Sequence, residues 1–82
     1  MPIRIHLFAG LADEIGETPL AMDLPESGLT VQDLKAELVR RHPGADRWVR
    51  QSLTSVNRTF APDDQLLRDG DEISLIPPLS GG

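Results

Sequence analysis

The stretch Leu67-Arg68-Asp69-Gly70-Asp71-Glu72-Ile73-Ser74-Leu75-Ile76-Pro77-Pro78-Leu79-Ser80-Gly81-Gly82 decides the reading of this chain. Asp69-Gly70 is a tight-turn pair, because glycine tolerates positive φ. Glu72 to Ile76 then alternates, with Ile73 and Leu75 on one face, which is the period of a strand. Pro77-Pro78 cannot continue a hydrogen-bonded ladder and favours a stiff extended backbone. Leu79-Ser80 follows, and the last two residues, both glycine, have no side chains. A strand this short must find its partners upstream, and its apolar face must be covered.

The partners are visible. Ile3, Ile5 and Leu7 alternate with Arg4, His6 and Phe8, giving a first strand. Residues 9–16 carry two glycines and paired acids and read as a loop or a short helical turn. Thr18, Leu20, Met22 and Leu24 alternate again, and Pro19 places this second strand at an edge. The two should pair as an antiparallel hairpin. Ser52 to Val56 reads as a third strand, with a turn at Asn57-Arg58 and a short return at Thr59-Phe60. Pro62-Asp63-Asp64 reads as a loop.

The cover is a helix beginning at Thr30, whose hydroxyl can accept from the free N–H of Asp33. Val31, Leu34, Leu38 and Val39 form its apolar stripe. Arg40 and Arg41 suit the negative end of its dipole, and Pro43-Gly44 stops it. Residues 45–51 form a second short helical turn, with Trp48 folded inward. The order predicts an α+β fold, a mixed sheet with one main helix packed on one face. That is a β-grasp, ubiquitin-like arrangement. The domain is expected to span residues 1–76, with 77–82 an extended C-terminal tail ending in Gly-Gly.

Composition narrows function. At 82 residues there is room for one core and no deep private active site. The chain has no cysteine, so no thiol can serve as nucleophile or metal ligand, and any sulfur handled must come from elsewhere. Thirteen acidic against eight basic residues give a net charge of −5, which argues against a nucleic-acid reader and suits docking on a basic protein surface. The N-terminus shows no signal-peptide core, and no apolar run nears the ~18 residues of a membrane span. A soluble cytoplasmic protein is expected, with no membrane and no nucleic-acid partner.

The chain looks catalytically empty. His6 and His42 are single and distant, which is unlike a metal site. Asp63, Asp64, Asp69, Asp71 and Glu72 do not match a calcium loop and read as turn chemistry with a solvated edge. No serine sits in a nucleophile elbow, and no glycine-rich phosphate loop occurs. Two features stand out instead. Two terminal glycines arise by chance in about 0.5% of chains; behind a stiff proline pair they make a thin tail presenting an unhindered carboxylate. Phe8 and Ile76 fall out of phase with the inward residues of their strands, so they should lie on the uncovered sheet face, where an apolar cluster marks a partner surface. Phe60 fits either that face or the core.

The closing stretch, the opening Ile3-Arg4-Ile5-His6-Leu7-Phe8-Ala9 and the Val56-Asn57 pair before a turn together resemble the small subunit of molybdopterin synthase, over essentially the whole chain. The Asp-Gly-Asp-Glu run is shared by several sulfur carriers. The Pro-Pro-x-Ser-Gly-Gly ending points more narrowly to the molybdopterin branch. The resemblance implies a sulfur carrier without catalytic machinery of its own, acting as the donating subunit of a sulfurtransferase complex. An adenylating enzyme would use ATP to activate the Gly82 carboxylate, and a persulfide donor would convert it to a thiocarboxylate. The chain itself would bind no cofactor and no metal. Pro77, Pro78, Leu79, Ser80 and Gly81 would thread the tail into the synthase large subunit, in an assembly of two large and two small subunits. Phe8, Phe60 and Ile76 match the family's partner-binding face. Two other readings stay open: a carrier for thiamine, cysteine or tRNA thiolation, and a ubiquitin-like modifier joined to target lysines. Lys35 is the single lysine, which leaves one site for self-linked chains.

Overall fold

The structure, a computed structural model, describes residues 2–78. Five strands form one sheet: β1 (Ile3–Leu7), β2 (Leu20–Met22), β3 (Leu53–Val56), β4 (Thr59–Phe60) and β5 (Glu72–Ile76). Their spatial order is β2-β1-β5-β3-β4. β1 and β5 pair in parallel and the other neighbours antiparallel. The strand that leads to the tail is therefore the middle of the sheet. The mixed sheet with its covering helix is the expected β-grasp.

Alternation sets the two faces. Ile3, Ile5, Leu7, Leu20, Met22, Val56, Ile73 and Leu75 all turn inward and are buried. Against them lies α2 (Val31–Arg41), through Val31, Leu34 and Leu38, each fully buried. Val39 is only partly buried, at the margin of the stripe. Burying one such aliphatic side chain stabilises by roughly 1.5–3 kcal/mol, so this contact dominates the fold.

The start of α2 is satisfied twice over. Thr30 Oγ1 accepts from Asp33 N–H at 3.1 Å, and Asp33 Oδ2 accepts from Thr30 N–H at 3.1 Å, a reciprocal capping box. Val31 N–H donates to the Gln65 carbonyl at 3.0 Å and Gln32 N–H to that of Asp63 at 2.9 Å. The 61–67 loop thus fills helix-end donors that would otherwise lack partners, and Leu67 from that loop joins the core.

Three local expectations are sharpened. Residues 9–15 form a true helix, α1 (Ala9–Ile15), ended by Gly16 at φ 91°. It buries Leu11 and Ile15. The second strand is shorter than its alternation suggests. Beyond it, Leu7 N–H is taken up by the Thr18 hydroxyl at 2.9 Å rather than by a ladder carbonyl. Trp48, on α3 (Asp46–Gln51), packs against the core but stays partly exposed, with the Arg47 guanidinium 5.2 Å from its ring centroid. Among the described residues no helix is long and apolar enough to cross a membrane.

Candidate functional site

Among the described residues, no helix or strand covers the face of the sheet opposite α2. Its residues can be followed row by row. Arg4 lies beside Glu72; His6 beside Ser74, Ser74 beside Ser55, and Ser55 beside Phe60; Ile76 beside Leu53. Leu7 pairs with Leu75, and one residue further along the same two strands come Phe8 and Ile76. Phe8 keeps an extended backbone, at φ −133° and ψ 154°, before α1 begins. It therefore continues the outward parity of Arg4 and His6.

This brings Phe8, Ile76 and Leu53 to one end of the open face, with Phe60 one row back on the edge strand; the four, Phe8, Ile76, Leu53 and Phe60, are exposed by 47%, 37%, 59% and 68%. Phe8 and Ile76 point outward as their phase predicts. Phe60, which fitted either place, is on the surface. Leu53 was missed. The signal was available: once Val56 is assigned inward, Leu53 three residues earlier must face outward.

The same end of the sheet is where the tail begins. Ile76 is the last residue of β5. Pro77 was expected at the start of the free tail but is buried, and Pro78 is exposed. The first proline thus belongs to the packed body, and departure from it begins at the second. The other expected tail residues, Leu79, Ser80, Gly81 and Gly82, the last expected to carry the sulfur, lie outside the described residues.

The other end of the face is polar. His6 Nε2 is 2.6 Å from Glu72 Oε2, and Arg4 Nη1 is 3.8 Å from Glu72 Oε1. Asn57 and Arg58 form the β3–β4 turn, both at positive φ (51° and 72°). Asn57 locks that turn to β5: its Nδ2 donates to Asp71 at 2.9 Å, and its Oδ1 accepts from Glu72 N–H at 3.0 Å. Asp71 also accepts from Arg68 N–H at 2.8 Å. The acidic run is therefore turn architecture in this part. Among the described residues no group of three His, Cys, Asp or Glu is placed to hold a metal. Lys35 is ion-paired with Asp63 at 3.1 Å, and its side chain is 17% exposed.

Such a surface offers an apolar patch beside the point where β5 ends. Comparison with known proteins gives the family. Residues 5–82 match the profile of the ThiS family. A molybdopterin synthase sulfur carrier subunit of Chlamydomonas reinhardtii is 32% identical over 84 residues, covering 100% of both chains. Among solved structures, SAMP1 from Haloferax volcanii superposes with a TM-score of 0.83 at 29% identity, covering 100% of both chains. A putative molybdopterin converting factor subunit 1 from Pyrococcus furiosus superposes with a TM-score of 0.83 at 25% identity, covering 96% of this chain and 99% of that one.

Proposed function

The chain belongs to the ThiS family, and from that premise we propose that it is the sulfur carrier subunit of a molybdopterin synthase. The observation that carries this reading is the placement of the tail's root. β5 is held on both sides, by β1 and β3, and it ends among four exposed apolar side chains, Phe8, Leu53, Phe60 and Ile76. A partner that covers this patch is positioned to receive the residues beyond Pro78.

The chemistry then runs through the terminal carboxylate. A carboxylate is a poor acyl donor, because oxide is a poor leaving group. The carboxylate of Gly82 attacks the α-phosphate of ATP on an adenylating enzyme, and pyrophosphate departs. The outer sulfur of a persulfide donor attacks the acyl carbon and displaces AMP, giving an acyl disulfide. A second thiol of the donor then cleaves that S–S bond, leaving the thiocarboxylate on Gly82 and a disulfide on the donor. The large synthase subunit takes the tail and passes the sulfur to a pterin precursor, and two such transfers complete a dithiolene. The domain contributes grip and reach, through Phe8, Leu53, Phe60 and Ile76 on its face and Pro78 to Gly81 in its tail. The assembly follows the pattern of two large and two small subunits.

Intact-mass measurement tests the loading step. With adenylating enzyme, ATP and a sulfur donor, one oxygen of the chain is replaced by sulfur; an unchanged mass with demonstrably active partners sinks the reading. Transfer from the loaded chain to the pterin precursor, with the large subunit present, separates this pathway from other carriers. A second reading, attachment to protein amines, draws on the likeness to SAMP1. It requires a Gly82 isopeptide in cell extracts, which mass spectrometry of tryptic digests detects.

A further inference from the structure

Arg58 and Arg68 are the two basic residues whose side chains have no ion pair or ring contact among the described residues, and of these Arg58 is the one at positive φ. Arg4 pairs with Glu72, Lys35 with Asp63, Arg40 and Arg41 with Glu37, and Arg50 with Asp46. Arg47 lies over Trp48. Arg68 serves the fold through its backbone, whose N–H donates to Asp71. Arg58 is exposed and has no ion pair among the described residues. It also sits at φ 72°, in the left-handed region that a Cβ disfavours. Hairpin turns of this kind prefer glycine at that second central position.

The fold does not need arginine there. Asn57 supplies the bonds that tie the turn to β5, and glycine would relieve the strained backbone. A strained residue that holds nothing in place points to work done outside the fold.

Its surroundings say what kind. A depression of about 590 Å³ on the open sheet face is lined by His6, Phe8, Asn57, Arg58, Glu72 and Ser74. Phe8 gives it an apolar wall continuous with the docking patch. The Glu72 carboxylate is already engaged by His6 and Arg4. The uncommitted charge presented there is therefore the positive one of Arg58, on a chain whose net charge is −5. A guanidinium binds a carboxylate through two parallel N–H bonds. The nearby Glu72 disfavours a polyanion such as a phosphate chain.

We propose that Arg58 is a docking residue, which receives a carboxylate side chain of the synthase large subunit in the depression between Phe8 and the β3–β4 turn. This rests on the sulfur-carrier reading and adds to it a contact that sets register and partner choice, which is what charges at an interface do.

The test is a titration of the full-length chain with the purified large subunit. Arg58→Gly and Arg58→Asn both tolerate positive φ and remove the charge. Each should raise Kd about tenfold and make its salt dependence shallower. Arg58→Gly should melt no lower than the parent, so loss of binding with retained stability separates docking from folding. Arg58→Lys keeps the charge without the fork and should fall between. Unchanged Kd in both neutral variants overturns the proposal. If Phe8→Asp weakens binding in the same series, the sulfur-carrier reading survives that failure. Weakened binding to the adenylating enzyme alone overturns the assignment to the large subunit. A parent chain that does not bind the large subunit overturns both.

Discussion

Gly10 shows how one residue is dictated by a contact far away in sequence. A Cβ built there would lie 2.7 Å from Trp48 Cζ2 and 2.8 Å from Cη2. Two effects oppose each other in Gly10→Ala. Alanine gains about 1 kcal/mol of helix propensity, and overpacking costs about 1–3 kcal/mol. The ring is a rigid body flanked by Arg47, so it has little freedom to retreat and the clash wins. Gly10→Ala should lose about 1 kcal/mol of stability in urea unfolding; a gain would mean that Trp48 relocates without strain. None of this is readable from the sequence. It shows a glycine in a loop-like stretch, and the reason for it is a tryptophan on a different helix. Arg58 is illegible for the same kind of cause: a turn at Asn57-Arg58 is easy to read, but that its second residue is strained and unpaired needs coordinates.

At the scale of elements the sequence speaks more clearly, because its signals are local. Thr30 three residues before Asp33 announces a capping box, and the structure forms one in both directions. Thr30→Ala should cost about 1 kcal/mol, measurable as a lower urea midpoint with an unchanged slope. The far end of α2 carries a different device. Hydrogen bonds from Arg40, then Arg41, together with their charges, hold the Glu37 carboxyl at about 2, against 4.5 for an ordinary glutamate. A carboxyl depressed on folding stabilises the native state above its unfolded value, and that contribution disappears as pH falls from about 4.5 to about 2. The cluster is solvent-facing, so its effect is modest and salt-screened. Thermal melts across that window at low salt should fall less steeply for Glu37→Gln than for the parent, and the difference should shrink at high salt. The one element whose kind the sequence leaves open is α1. Its two buried residues, Leu11 and Ile15, are too few for a helical period to stand out.

The whole molecule is a two-faced sheet, and the proposed docking depends on which face is left bare. The face could be assigned from alternation in β1 and β5, where the apolar parity is unambiguous. β3 is harder to read, because Leu53, Thr54, Ser55 and Val56 mix polarity on both sides, and only its parity with Val56 turns Leu53 outward. Leu53 is nonetheless paired with Ile76 and 59% exposed. Leu53→Asp should leave the melting temperature nearly unchanged and weaken binding to the large subunit about tenfold or more, as removing an apolar anchor at the middle of an interface does. Calorimetric titration beside a thermal melt checks both halves; a large stability loss would place Leu53 in the fold rather than in docking.

The central position of β5 has a mechanical meaning. A pull applied through Pro77 runs along a strand bonded to β1 over Arg4–Glu72 to Leu7–Leu75 and to β3 over Leu53–Ile76 to Val56–Ile73. Both ladders are loaded in shear, and their hydrogen bonds must yield together. A tail rooted in an edge strand such as β4 would peel away one pair at a time. A load entering through the end of β5 therefore meets two ladders at once, which makes this a mechanically resistant place to root a tail.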